Sequence, residues 1–201
     1  GGNSLSDLIV FGKRAGEHAA KRAKNLAPPR IDEDQVQAAI GKMLEPLQRG
    51  EGENPGRIYD EMRDMMQAKV GIIRTKEELE QAVEDLKAFK ARAEACFPGS
   101  DRRYNSGWHQ ALDLINMADV SHAATLAAIT REESRGGHTR DDFPTPEDDY
   151  WGKTLNIIWM EDGEMKIRQE TVEEMRDDLK DALTEVKAMI AERAAEAGGG
   201  N

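Results

Sequence analysis

Along most of this chain apolar residues recur every three or four positions, and the runs are cut by proline and glycine. That pattern leaves little room for anything but packed helices. One stripe is Val36, Ile40, Met43 and Leu47, and a second is Ile58, Met62, Met65 and Met66, closed by Ile72-Ile73. A third is Leu79, Val83, Leu86, Phe89 and Ala93, and a fourth runs from about Ser106 to Glu133 through Trp108, Leu112, Ile115, His122, Leu126 and Ile129. Start signals stand where the stripes need them: Asp32 with Gln35, Asn54-Pro55, and Thr75 with Glu78. Stop signals follow at Gly50 to Gly52, at Pro98-Gly99 and at Gly136-Gly137. Three long amphipathic helices on short loops predict an antiparallel bundle of mainly α class, similar in plan to a spectrin repeat.

The flanks differ from this centre. Ahead of Pro28-Pro29, Asn3 or Ser4 can cap a helix carrying Leu5, Leu8 and Ile9, with the small residues Gly12, Ala15, Gly16 and Ala19 behind them. Residues 139–153, with Pro144, Pro146 and many acids, read as a loop. Thr154 to Met160 and Met165 to Gln169 flank Asp162-Gly163, a hairpin signal. A last helix is predicted from about Glu170, striped by Val172, Met175, Leu179, Leu183, Val186 and Ile190 and fading into Gly198-Gly199-Gly200. This divides the chain into 1–27, 28–133 and 134–201. The start at Gly1-Gly2-Asn3, with almost no lead-in to a helix, reads as a piece cut from something longer.

Charge narrows the function classes. The chain has 201 residues with 39 acids against 28 bases, a net charge of −11, and so suits no polyanion. Nucleic acid is excluded as a partner on that ground. The charge is uneven: residues 1–30 hold six bases against two acids, and residues 161–201 hold twelve acids against six bases. The longest apolar runs, such as Leu155 to Met160, fall far short of the roughly 20 residues that span a bilayer. Cys96 is the only cysteine, which excludes an intrachain disulfide and suits a reducing compartment.

Catalytic signatures are scarce. No GxGxxG follows a strand, and neither HExxH nor a phosphate-cradling GxxxxGK[ST] occurs. His18, His109, His122 and His138 do not fall at metal-ligand spacing, so no metal site is expected. Asp119 and His122, one helical turn apart, read as a local hydrogen bond or a packing pair. Two segments stand out. Gly1-Gly2-Asn3-Ser4-Leu5-Ser6-Asp7 joins glycines, which allow close backbone approach, to a helix start with free N–H groups. It fits either a plain cap or a site for an anion or an electron-rich heterocycle such as a reduced flavin. Arg131 to Pro144 sets Arg131, Arg135, Arg140 and His138 around a diglycine beyond a helix end. It fits either a structured C-cap or an anion-binding or subunit-docking loop.

Taken together, these segments resemble one family. Gly1-Gly2-Asn3-Ser4-Leu5-Ser6-Asp7, continuing to Gly16, resembles the flavin-contacting turn and helix of the succinate dehydrogenase/fumarate reductase flavoprotein subunit. Glu133-Ser134-Arg135-Gly136-Gly137-His138, with Arg140, Asp142, Phe143 and Pro144, resembles a second motif of that subunit. The resemblance spans residues 1 to about 168, and the final helix looks like a lineage-specific extension. It implies a last helix of an FAD-binding domain at 1–27, a helical bundle domain at 28–133, and a loop, hairpin and acidic helix at 134–201. Asn3, Ser4 and Leu5 become the flavin-contacting candidates, and Ser134, Arg135, Gly136, His138 and Arg140 an interface or structural motif. The resemblance places the catalytic residues upstream and none in this chain. It implies FAD in the full-length protein, not held by this piece alone, and a dicarboxylate substrate interconverted between succinate and fumarate. The implied partners are an iron–sulfur subunit and membrane-anchor subunits, on the cytoplasmic side of the inner membrane. L-Aspartate oxidase, which shares the fold and a similar Ser-Arg-Gly motif, is the enzymatic rival. A non-enzymatic helical interaction module is the other alternative.

Overall fold

In the computed structural model, residues 3–198 are described. The chain divides into two compact units, residues 1–45 and 46–201. The first contains helix α1 (Asn3–Asn25) and most of α2 (Glu33–Gln48). Helix α1 is already helical at Asn3, so Ser4 lies inside its first turn; Gly1, Gly2 and the Asn3 side chain, where the flavin turn would begin, lie outside the described residues. Helix α2 opens as its start signal predicts, with Asp32 Oδ1 accepting from the amides of Asp34 (3.0 Å) and Gln35 (3.3 Å).

The second unit contains a helical bundle, as the stripes predict. Its helices are α3 (Pro55–Lys69), α4 (Lys76–Ala95) and α5 (Ser106–Thr130), which pack pairwise. Each is capped by a short polar side chain: Asn54 accepts from Gly56 N (2.8 Å), Thr75 from Glu78 N (3.4 Å) and Asn105 from Trp108 N (3.0 Å). Thr75 also donates to the Glu78 carboxylate (2.9 Å), a variant of the reciprocal capping box. The apolar stripes meet in two clusters. Ile58, Met62, Leu86, Phe89, Ala93, Ala111, Leu114 and Ala118 form one around buried Cys96, and Val70, Leu79, Ala82 and Ala128 form the other. Met65 and Met66 pack against both, a use suited to an unbranched, adaptable side chain.

Gly52 is required by a close approach. A Cβ there would lie 2.7 Å from the Ala95 carbonyl oxygen, where Phe97 N bonds Glu53 O at 2.9 Å and ties the entry of α3 to the exit of α4.

Two small sheets complete the unit. Strands β1 (Ile73–Arg74) and β2 (Thr139–Arg140) pair in parallel, Ile73 with Thr139 and Arg74 with Arg140. Strands β3 (Thr154–Glu161) and β4 (Glu164–Thr171) form the predicted hairpin, turning at Asp162-Gly163 with φ of 51° and 79°. The ladder runs to the Thr154–Thr171 pair, which keeps Glu170 and Thr171 extended. The last helix, α6 (Asp177–Gly198), therefore starts at Asp177 and not near Glu170. Likewise α5 stops at Thr130, because Arg131 turns extended to begin the loop.

Candidate functional site

The end of α5 is closed by three arginines, and each finds its partners inside the chain. Arg131, Glu133 and Arg135 stand two residues apart in sequence, and both guanidiniums meet on the Glu133 carboxylate. Glu133 is fully buried. It takes the Arg131 guanidinium, Arg135 Nε (3.0 Å) and Nη2 (3.0 Å), and the amide of Glu147 (2.8 Å). Those donors, with Arg135 first among them, outweigh desolvation and lower its pKa to about 2. Arg131 also reaches the carbonyls of Trp151 (3.1 Å) and Thr154 (2.9 Å) and lies over the Trp151 ring. Arg135 bonds Asp148 (2.7 Å) as well.

Arg140 is likewise fully buried. Its Nη1 donates to the carbonyls of Ala128 (2.8 Å), Ile129 (3.0 Å) and Arg131 (3.3 Å), the orphan acceptors at the end of α5. Its Nε and Nη2 form a bidentate pair with Asp142 (2.7 and 2.6 Å), whose pKa falls accordingly. The Ser134 hydroxyl accepts from Arg140 N (2.8 Å) and donates to Phe143 O (2.8 Å). Gly136, at φ 60°, turns the 135–138 loop, in which Arg135 and His138 exchange backbone hydrogen bonds.

His138 stands between two arginines. Arg74 Nη1 donates to its Nδ1 (2.9 Å), so that nitrogen carries no proton, and Nε2–H donates to Arg131 O (3.2 Å). Burial and the neighbouring arginine charges push its pKa down. The ring is a neutral bridge, not an acid.

The predicted residues thus fall in two places. Ser134, Arg135, Gly136, His138 and Arg140 converge on one clamp in the second unit. Ser4 and Leu5 lie on α1 in the first, with Leu5 67% exposed. Asp119 does not bond His122; it pairs with Lys90 Nζ at 2.7 Å across the α4–α5 contact. Among the described residues no group of three or more His, Cys, Asp or Glu could hold a metal ion.

Sequence reasoning placed Glu133 in the second motif without giving it a role, and missed Arg74 and Glu147 as members of the clamp. The spacing of Arg131, Glu133 and Arg135 was a usable signal for that role. Arg74, in a two-residue strand far upstream, carried none.

The described residues of the second unit form a helical bundle sealed at one end by an arginine–carboxylate clamp. The chain matches the family described as Fumarate reductase flavoprotein C-term over residues 59–193, and it belongs to that family. It is 32% identical over 170 residues to the succinate dehydrogenase flavoprotein subunit of Coxiella burnetii, an alignment covering 84% of this chain and 29% of that protein. It is 30% identical over 200 residues to the fumarate reductase flavoprotein subunit of Haemophilus influenzae, covering 98% and 33%. Among solved structures, the Mycobacterium smegmatis Sdh1 complex in the apo form aligns with a TM-score of 0.78 at 40% identity, covering 89% of this chain and 31% of that one. The chain thus spans about 30% of the length of these relatives. The family match runs to residue 193, so α6 lies largely inside it and is not an extension outside the family.

Proposed function

We propose that this chain is the C-terminal part of an FAD-containing subunit that interconverts succinate and fumarate and passes electrons to an iron–sulfur subunit. The family membership over residues 59–193 carries the reading. In this reading 1–27 is the last helix of the FAD-binding domain, 28–133 the helical bundle, and 134–201 the loop, hairpin and acidic helix. When bound, the flavin would accept hydride from the dicarboxylate. The part of its shell in this chain is the turn at Asn3, Ser4 and Leu5. The first turn of α1 has backbone N–H groups without intrahelical acceptors, which suits the electron-rich edge of a flavin. Three residues cannot hold the cofactor alone, so the isolated chain is inactive. The 131–142 clamp sets the bundle and hairpin at a fixed angle for docking. Among the described residues no helix is long and apolar enough to cross a membrane; attachment to the cytoplasmic face is proposed to come from partner subunits.

The test is Ser4→Trp in the full-length protein. Loss of flavin or a shifted flavin potential is expected. Unchanged flavin content and kinetics would overturn the assignment.

A further inference from the structure

A cleft beside the clamp holds a guanidinium edge that the clamp leaves open. It lies between the end of α3, the last turns of α5 and the root of the hairpin, with a volume of about 320 Å³. Val70, Ala124, Ala127, Ala128 and Leu155 form its apolar side, and Arg131, His138 and Asn156 line it beside Arg74. The three alanines sit at spacings of three and four, so α5 contributes a smooth apolar wall.

Arg74 stands at this cleft, half-buried. Its Nε donates to Val70 O (3.1 Å) and its Nη1 to His138 Nδ1 (2.9 Å), and both acceptors are neutral. A guanidinium has five N–H donors, so three remain. The neighbouring arginines differ: Arg131 and Arg135 share Glu133, and Arg140 has Asp142. Among the described residues Arg74 has no such carboxylate. Burial without a counter-charge pulls its pKa below the usual arginine value.

We propose that this cleft binds a small aliphatic monocarboxylate, held by the free edge of the Arg74 guanidinium with its hydrocarbon stem against Ala124, Ala127 and Leu155. The single unpaired fork matches one carboxylate in bidentate geometry. The apolar wall disfavours a fully hydrated inorganic anion. The volume lies at the small end of the roughly 300–1,000 Å³ range of ligand pockets. The site is independent of the flavin reading, because every residue in it belongs to the second unit.

Butyrate is the probe, added to the full-length subunit with its cofactor bound. Saturation-transfer NMR and calorimetry read binding without reference to turnover. Saturable binding is expected, with Arg74→Gln weakening it at least tenfold and Arg74→Lys by less. Leu155→Asp, at a position 48% exposed and so tolerant of change, sets a competing carboxylate at the wall and should abolish the same component. Thermal melts confirm that each variant is folded. Absence of saturable binding overturns the proposal. So does butyrate affinity undiminished in both Arg74→Gln and Leu155→Asp, or sulfate competing as well as butyrate does.

Discussion

Glu133 is a carboxylate out of contact with water, kept ionised by two guanidiniums and a backbone amide. Such a group is costly to disturb from either side. Removing its charge leaves Arg131 facing a neutral amide while Arg135, 40% exposed, keeps Asp148, so the cost falls at the low end of the about 3–5 kcal/mol of a broken buried pair. Glu133→Gln should therefore lower the urea midpoint at pH 7 by the equivalent of about 3 kcal/mol. Its pKa is about 2 in the fold against an ordinary 4.5, so the unfolded chain takes up the proton first on acidification. The stabilisation is complete above about pH 4.5 and drains away as pH falls toward 2. Denaturation curves between pH 5 and 2 should show a steeper loss in the wild type than in Glu133→Gln, whose remaining loss comes from paired carboxylates such as Asp142; equal losses in both would contradict this. His138 follows the same sign nearer neutrality, its contribution full above about pH 6.5 and falling below it.

At the scale of elements, the end of α5 depends on one side chain. Lysine at position 140 could keep a charge but not the fork that meets three carbonyls and Asp142 at once. Arg140→Lys should cost about 3 kcal/mol, and stability within 1 kcal/mol of wild type would refute that role. The hairpin holds the opposite case. Asn156 Oδ1 is buried without a hydrogen-bond partner, while its amide gives only a 3.3 Å bond to Ala127 O. Asn156→Val removes that acceptor and suits a strand, so it should raise stability by about 1 kcal/mol; a lower melting temperature would show the amide bond to be the larger effect. The elements themselves were readable because caps and stops are local: Asn54-Pro55, Thr75 with Glu78, Pro98-Gly99 and Asp162-Gly163 each announce a boundary within four residues. The parallel pairing of β1 with β2 was not, since two residues have no period and their partner lies far along the chain. The onset of α6 was misread for a related reason, because the stripe through Val172 and Met175 fits a helix while the ladder holds the chain extended to Thr171. The clamp was visible as a composition but not as a set of pairs, because Arg140 could equally have faced an outside anion.

The whole molecule presents more apolar surface than a self-sufficient domain would. On α1, Leu5, Leu8, Ile9 and Phe11 are between 58% and 72% exposed, and on α6 Leu179, Leu183, Val186 and Ile190 are also exposed. Large exposed apolar patches mark interaction surfaces or aggregation liabilities. The isolated chain should self-associate in a concentration-dependent way, read by size-exclusion chromatography with light scattering, and Leu8→Glu with Ile9→Glu should shift it toward monomer. A monomer at all concentrations would count against this. The pairing of β1 with β2 has a different consequence. It and the bond from Lys76 N to Asp142, 66 positions apart, bracket α4 and α5 entirely. Nothing there can form until both helices have folded back, so the latch is expected to close late in folding. Damage to it should leave the folding rate nearly untouched and appear as faster unfolding, which makes the clamp a determinant of how long the domain survives once folded.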